Sequence, residues 1–129
     1  MSRHCLARIV RSVAIAAFLA TACPVAHAQV TWTGTSSTLW SDILNWSTLG
    51  APPAGADLFF TGTSGTSNNN SGSGTYSSLN FLSTLGAPLT LTGNSLTLSP
   101  AIAGGTTINN QNTTAGRNVT IQNNLAISG

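Results

Sequence analysis

The chain has 129 residues, of which 5% are charged, with four Lys or Arg against two Asp or Glu and a formal net charge of +2. After Ala28 the only formally charged side chains are Asp42, Asp57 and Arg117, and no Lys, Glu, His or Cys follows. General acid–base work, activated nucleophiles and transition-metal sites draw on His, Cys, Lys or grouped carboxylates, so this part is expected to be non-enzymatic, with no catalytic residues, cofactor or metal.

Most of the charge sits at the front. Arg3, Arg8 and Arg11 precede an apolar run from Ser12 to Ala22, Pro24 ends the run, and Ala26 and Ala28 flank His27. A basic stretch, an apolar core of about ten residues and an A-x-A site together define a secretory signal peptide. Residues 1–28 are therefore read as a signal peptide, Ala26 and Ala28 as the small residues that signal peptidase recognises, and Ala28 as the last residue removed. Two rivals fit less well. A membrane anchor needs about 20 apolar residues; a lipoprotein signal ending at Cys23 would have Leu19 one place too far upstream and Pro24 directly after the cysteine.

Cleavage changes the physical description of the chain. One Arg and two Asp remain, a formal charge of −1, and Cys5 and Cys23 leave with the leader. A lone Arg117 cannot neutralise a phosphate backbone, so nucleic acid is not an expected partner. Without disulfides, backbone hydrogen bonds and packing have to hold the exported part together.

Residues 29–77 are read as an N-terminal cap and first coil. They contain Trp32, Trp40 and Trp46, then Pro52 and Pro53, and the apolar run Leu58, Phe59 and Phe60. Bulky side chains suit the end of a repetitive stack, which must be covered; the alternative is an aromatic platform for sugar rings. The stretch Thr61–Tyr76, with Gly62, Gly65, Gly72 and Gly74, is expected to be a flexible surface loop, because no helix or Lys follows to make it a phosphate loop. Asp42 and Asp57 could form a glycosidase pair, but supporting a turn is the plainer role.

From residue 78 to 129 the pattern becomes regular. Leu79-Asn80-Phe81, Leu89-Thr90-Leu91, Leu96-Thr97-Leu98, Val119-Thr120-Ile121 and Leu125-Ala126-Ile127 each alternate apolar, polar, apolar, which places two side chains on one face of a strand. Thr92-Gly93-Asn94, Pro100, Gly104-Gly105, Asn109-Asn110 and Gln122-Asn123-Asn124 separate them as turn formers. Residues 89–99 are echoed by 119–128, an offset of about 30 residues within the range of solenoid repeats. More than half of the residues after Ala28 are Thr, Ser, Asn or Gly. Stacked about 4.8 Å apart in successive coils, such uncharged side chains can bond where charges would repel. The reading is all-β, a parallel β-helix (solenoid).

Trp32-Thr33-Gly34, Trp40, Asn45-Trp46, Pro53 followed by Asp57 and Phe60, the run Asn68-Asn69-Asn70, Ser78-Leu79-Asn80-Phe81 and Leu89 to Asn94 together resemble the start of bacterial autotransporter passenger proteins bearing autotransporter-associated β-strand repeats. The resemblance implies Sec-type export by the secretion machinery, translocation through a C-terminal β-barrel, and a right-handed parallel β-helix displayed at the cell surface or released outside. The implied role is a structural passenger segment, with adhesion or self-association as its contribution and surface carbohydrate as the other partner class. A polysaccharide-active β-helix or an exported protein with a downstream sorting anchor are the alternatives. The barrel would need at least about eight amphipathic strands, which this sequence does not supply, so a truncated segment is expected. With only two or three coils after Ser78, residues 29–129 alone are predicted to be marginally folded or to aggregate; a soluble monomer giving a cooperative thermal melt would contradict this.

Overall fold

The computed structural model describes residues 26–63, 65–100, 105 and 107–128. The basic and apolar parts of the leader, from Arg3 to Pro24, and the turn residue Gly104 lie outside them. The described chain forms β1 (Gln29–Trp32), a 3-10 turn (Ile43–Asn45), β2 (Asp57–Gly62), β3 (Thr66–Asn69), β4 (Gly74–Tyr76), β5 (Ser78–Leu85), β6 (Leu89–Gly93), β7 (Leu96–Leu98), β8 (Ile108–Asn110), β9 (Val119–Ile121) and β10 (Leu125–Ile127). The all-β expectation holds, and all five apolar triplets lie within strands.

The strands fall into three sheets, ordered β1-β2-β5-β8, β3-β6-β9 and β4-β7-β10. Every ladder between them is parallel. From β2 onward the chain visits the sheets in rotation and returns to each at every third strand. The sequence echo is a true register, since Leu89 pairs with Val119 and Leu96 with Leu125.

Parallel register stacks equivalent positions directly over one another. In the first sheet Val30, Leu58, Leu79 and Ile108 form one column, and Trp32, Phe60, Phe81 and Asn110 the next. Leu91 pairs with Ile121, Leu96 with Leu125, and Leu98 with Ile127. Because alternate side chains point the same way, these columns meet in one cluster to which all three sheets contribute, with Leu58, Leu79, Leu91, Leu96 and Leu98 each wholly buried. Each such side chain contributes about 1.5–3 kcal/mol relative to exposure. Thr66, Thr90 and Thr120 align between these inward positions, as do Thr75 and Thr97. The Thr61 and Thr84 hydroxyls lie 2.7 Å apart across adjacent strands of the first sheet. Burial thins along the stack, and Ile127 on β10 is 62% exposed.

Two expectations are corrected. Thr61–Tyr76 is not a surface loop: it holds the end of β2 and all of β3 and β4, which belong to the same three sheets as the later strands. The inward positions of β3 are the wholly buried Ser67 and Asn69, so hydropathy alternation does not mark that strand. Asn109 and Asn110, read as turn formers, pair with Asn80 and Phe81 in β8. Ladder pairing overrides their weak strand preference.

Corners between β3 and β4, and their counterparts further along, are built on asparagine and glycine. Asn94 N–H donates to the Asn69 carbonyl at 2.8 Å, and the Asn123 amide donates to the carbonyls of Thr92 and Asn94, both at 2.8 Å. Gly93, paired with Asn69 in the register, has φ +95, and a Cβ there would lie 2.4 Å from the Asn69 carbonyl oxygen. Gly116 has φ +79 but nothing within 4 Å of the same added atom. Gly93→Ala is therefore expected to destabilise the chain by more than about 1 kcal/mol and by clearly more than Gly116→Ala, as measured by chemical denaturation; equal losses would remove the role assigned to close stacking.

Candidate functional site

The most elaborated region is the aromatic end built by residues 29–60. Trp32 comes from β1, while Trp40 and Trp46 come from the connection to β2. That connection pairs the otherwise open strand edges. For β1, Ser47 N–H donates to the Thr31 carbonyl and Thr33 N–H to the Asn45 carbonyl, both at 2.8 Å. For β3, Trp40 N–H donates to the Asn68 carbonyl at 2.9 Å, and Asn68 N–H to the Thr38 carbonyl at 2.7 Å. Gly55 N–H donates to the Thr75 carbonyl of β4 at 2.9 Å. Unpaired strand edges are templates for association; here the first strand of each sheet has backbone partners on its outer side.

Buried Asn45 organises the connection. Its Oδ1 accepts from Ser36 and Ser37 N–H at 2.9 and 3.1 Å, and its Nδ2 donates to the Ser37 hydroxyl and the Leu39 carbonyl at 3.0 and 2.9 Å. Sequence reasoning used this residue only as half of the Asn45-Trp46 pair. Its central role depends on four groups that become neighbours only in the folded loop.

The rings form a continuous set. Trp40 meets Trp46 edge-on at 5.2 Å between centroids and Tyr76 at 5.8 Å, while Phe60 and Phe81 stack at 5.3 Å along the register. Trp32, Trp40 and Trp46 are at most 1% exposed, so none offers a ring face to a sugar. Trp40 Nε1 donates to Ser67 Oγ at 2.7 Å and Trp46 Nε1 to the Trp40 carbonyl at 2.9 Å. Trp32 Nε1 is buried without a hydrogen bond. Burial raises the Tyr76 pKa above the ordinary phenol value.

The three charged residues serve separate local tasks. Asp42 caps the 3-10 turn by accepting from Leu44 N–H at 3.1 Å, and it accepts from the Ser37 hydroxyl at 2.8 Å. Hydrogen bonds from Ser36, then Ser37 and then the Leu44 N–H hold its carboxyl below the ordinary aspartate value. Asp57 opens β2 and accepts from the Ser78 hydroxyl at 2.5 Å, and Arg117 Nη1 donates to the Leu85 carbonyl at 2.5 Å. None of these bonds brings the two carboxylates together. Among the described residues there is no group of three or more His, Cys, Asp or Glu that could hold a metal, and no helix long and apolar enough to cross a membrane.

The junction read as the signal-peptidase site lies against the turn that leads into β2. Ala26 and Ala28 are exposed. His27 Nδ1 is 2.5 Å from the Gly55 carbonyl oxygen, and the Ala28 carbonyl accepts from Asp57 N–H at 2.9 Å. A shallow recess of about 290 Å³ is lined by Ala26, His27, Ala28, Ala54 and Gly55. Cleavage after Ala28 would remove three of those five residues.

In comparisons with known proteins, no family model, curated protein or solved structure matches this chain. Trp40 and Trp32 provide an internal contrast. Replacing either by Phe removes indole volume, but only Trp40→Phe strands a buried hydroxyl, that of Ser67. Trp40→Phe is expected to cost about 1–3 kcal/mol more than Trp32→Phe in chemical denaturation, with part of the difference recovered in Trp40→Phe/Ser67→Ala.

Proposed function

We propose that this chain is an exported, non-enzymatic passenger segment of the autotransporter type. Residues 1–28 direct export and are removed, and the remainder winds as a right-handed parallel β-helix displayed at the cell surface, where it supports adhesion or self-association. The observation that carries the reading is the rotation of the chain through three parallel sheets, with each strand from β2 to β7 pairing with the strand three places later. A coil-by-coil stack accounts for that connectivity, for the alignment of apolar positions and for the short strands. The order of aromatic, Asn-Trp, Pro and Asp residues at the front supports the passenger type, and the basic, apolar and A-x-A segments support export.

A surface role also fits the chemistry of the exterior. Among the described residues, Thr columns lie on two of the sheets, both carboxylates are capped or bonded locally, and no three His, Cys, Asp or Glu group together. Such a face is suited to presentation and lateral contact rather than to bond-making.

The test is expression of the tagged full chain in a Gram-negative host, alone and placed ahead of a translocator barrel. Alone, it is expected in the periplasm as a species shortened by its leader, with Ala28→Phe retaining the leader. Ahead of the barrel, protease added to intact cells is expected to digest it. A full-length cytoplasmic product, or protection from external protease, would overturn the proposal.

A further inference from the structure

We infer that Gln29 is a modification site: after cleavage at Ala28 its α-amine closes onto its own side-chain amide, leaving an N-terminal pyroglutamate. The inference rests on the cleavage proposed above and adds what the new terminus then becomes. In the reaction the deprotonated α-nitrogen attacks Cδ and forms the N–Cδ bond of a five-membered lactam. The Cδ–Nε2 bond breaks, and Nε2 leaves as ammonia with the proton given up by the attacking nitrogen. Water is not consumed and no oxidant, metal or cofactor is needed.

The structure places Gln29 where this closure meets little resistance. The residue is exposed, and among the described residues its side-chain amide is not engaged in any hydrogen bond. It is in register with Asp57. In a parallel ladder, a residue on one strand bonds to the two neighbours of its register partner, as Asp57 does in donating to the Ala28 carbonyl at 2.9 Å. The Gln29 N–H is therefore directed away from β2, and forming a ring at that nitrogen removes no bond from the β1–β2 ladder.

The next residue gives the closure a consequence. Val30 is wholly buried, as is Trp32, so β1 is anchored to the core one residue after the new terminus. Cleavage turns the uncharged peptide nitrogen of Gln29 into an ammonium; ring closure returns it to an uncharged amide. An exopeptidase that requires a free α-amine could otherwise remove Gln29 and then Val30, the first member of a core column. The lactam withholds that amine.

The experiment is mass spectrometry of the N-terminal peptide of the exported protein, beside a Gln29→Asn variant, whose shorter side chain would need a strained four-membered ring. The expected result is a wild-type peptide that begins at residue 29, is lighter than the open form by one ammonia, and resists stepwise amine-directed degradation until treated with pyroglutamyl aminopeptidase. The variant is expected at its full mass with a free amine. A wild-type peptide beginning at residue 29 with a free amine would overturn the closure and leave the cleavage standing. A peptide beginning elsewhere would overturn both.

Discussion

Parallel pairing in register is the constraint on which the rest of the structure depends. Because β2, β5 and β8 run the same way and align over Asp57–Phe60, Ser78–Phe81 and Ile108–Asn110, with a register shift only after Phe60, and the strands of the other two sheets align likewise, each inward position meets its own counterpart at the strand spacing of about 4.8 Å. A leucine thereby rests on a leucine, Phe60 on Phe81, and a threonine on a threonine. Charged residues repeated in this way would place like charges side by side, and the described strands contain only one, Asp57, whose carboxylate is bonded to the Ser78 hydroxyl. The scarcity of charge and the parallel architecture are two aspects of the same requirement.

Stacking also sets what the ends must do. Interior strands have partners on both sides, whereas the first strand of each sheet needs another source of backbone bonds. The 38–55 connection supplies these through Thr38, Trp40, Asn45, Ser47 and Gly55. Its own geometry is held by Asn45, Asp42 and the serines around them, while the Trp40 indole packs against Phe60, Tyr76 and Trp46. The tryptophans thus act as core and closure together, with their polar edges directed to Ser67 and to the Trp40 carbonyl.

The charged residues after Ala28 are held locally. Asp42, Asp57 and Arg117 are each bonded to neighbouring hydroxyl or backbone groups, and the aligned threonines of two sheets lie between the inward positions. Were residues 1–28 removed as proposed, the new terminus would place Gln29 beside the wholly buried Val30.

The sequence by itself determined the all-β class and located five of the strands, because two apolar side chains flanking a small polar one can be buried together only on one face of an extended segment. It also determined the register of residues 89–99 on 119–128, since both carry two such triplets across a similar corner. Tertiary structure decided β3, where Ser67 and Asn69 occupy inward positions through hydrogen bonds to distant residues, and β8, where Asn109 and Asn110 extend because Asn80 and Phe81 lie beside them. The hub role of Asn45, the fate of each indole N–H and the need for glycine at position 93 were likewise decided only by the fold. These depend on which polar groups meet, from 6 to 9 positions away around Asn45 to 20 to 30 across the sheets, and no local pattern of hydropathy records that meeting.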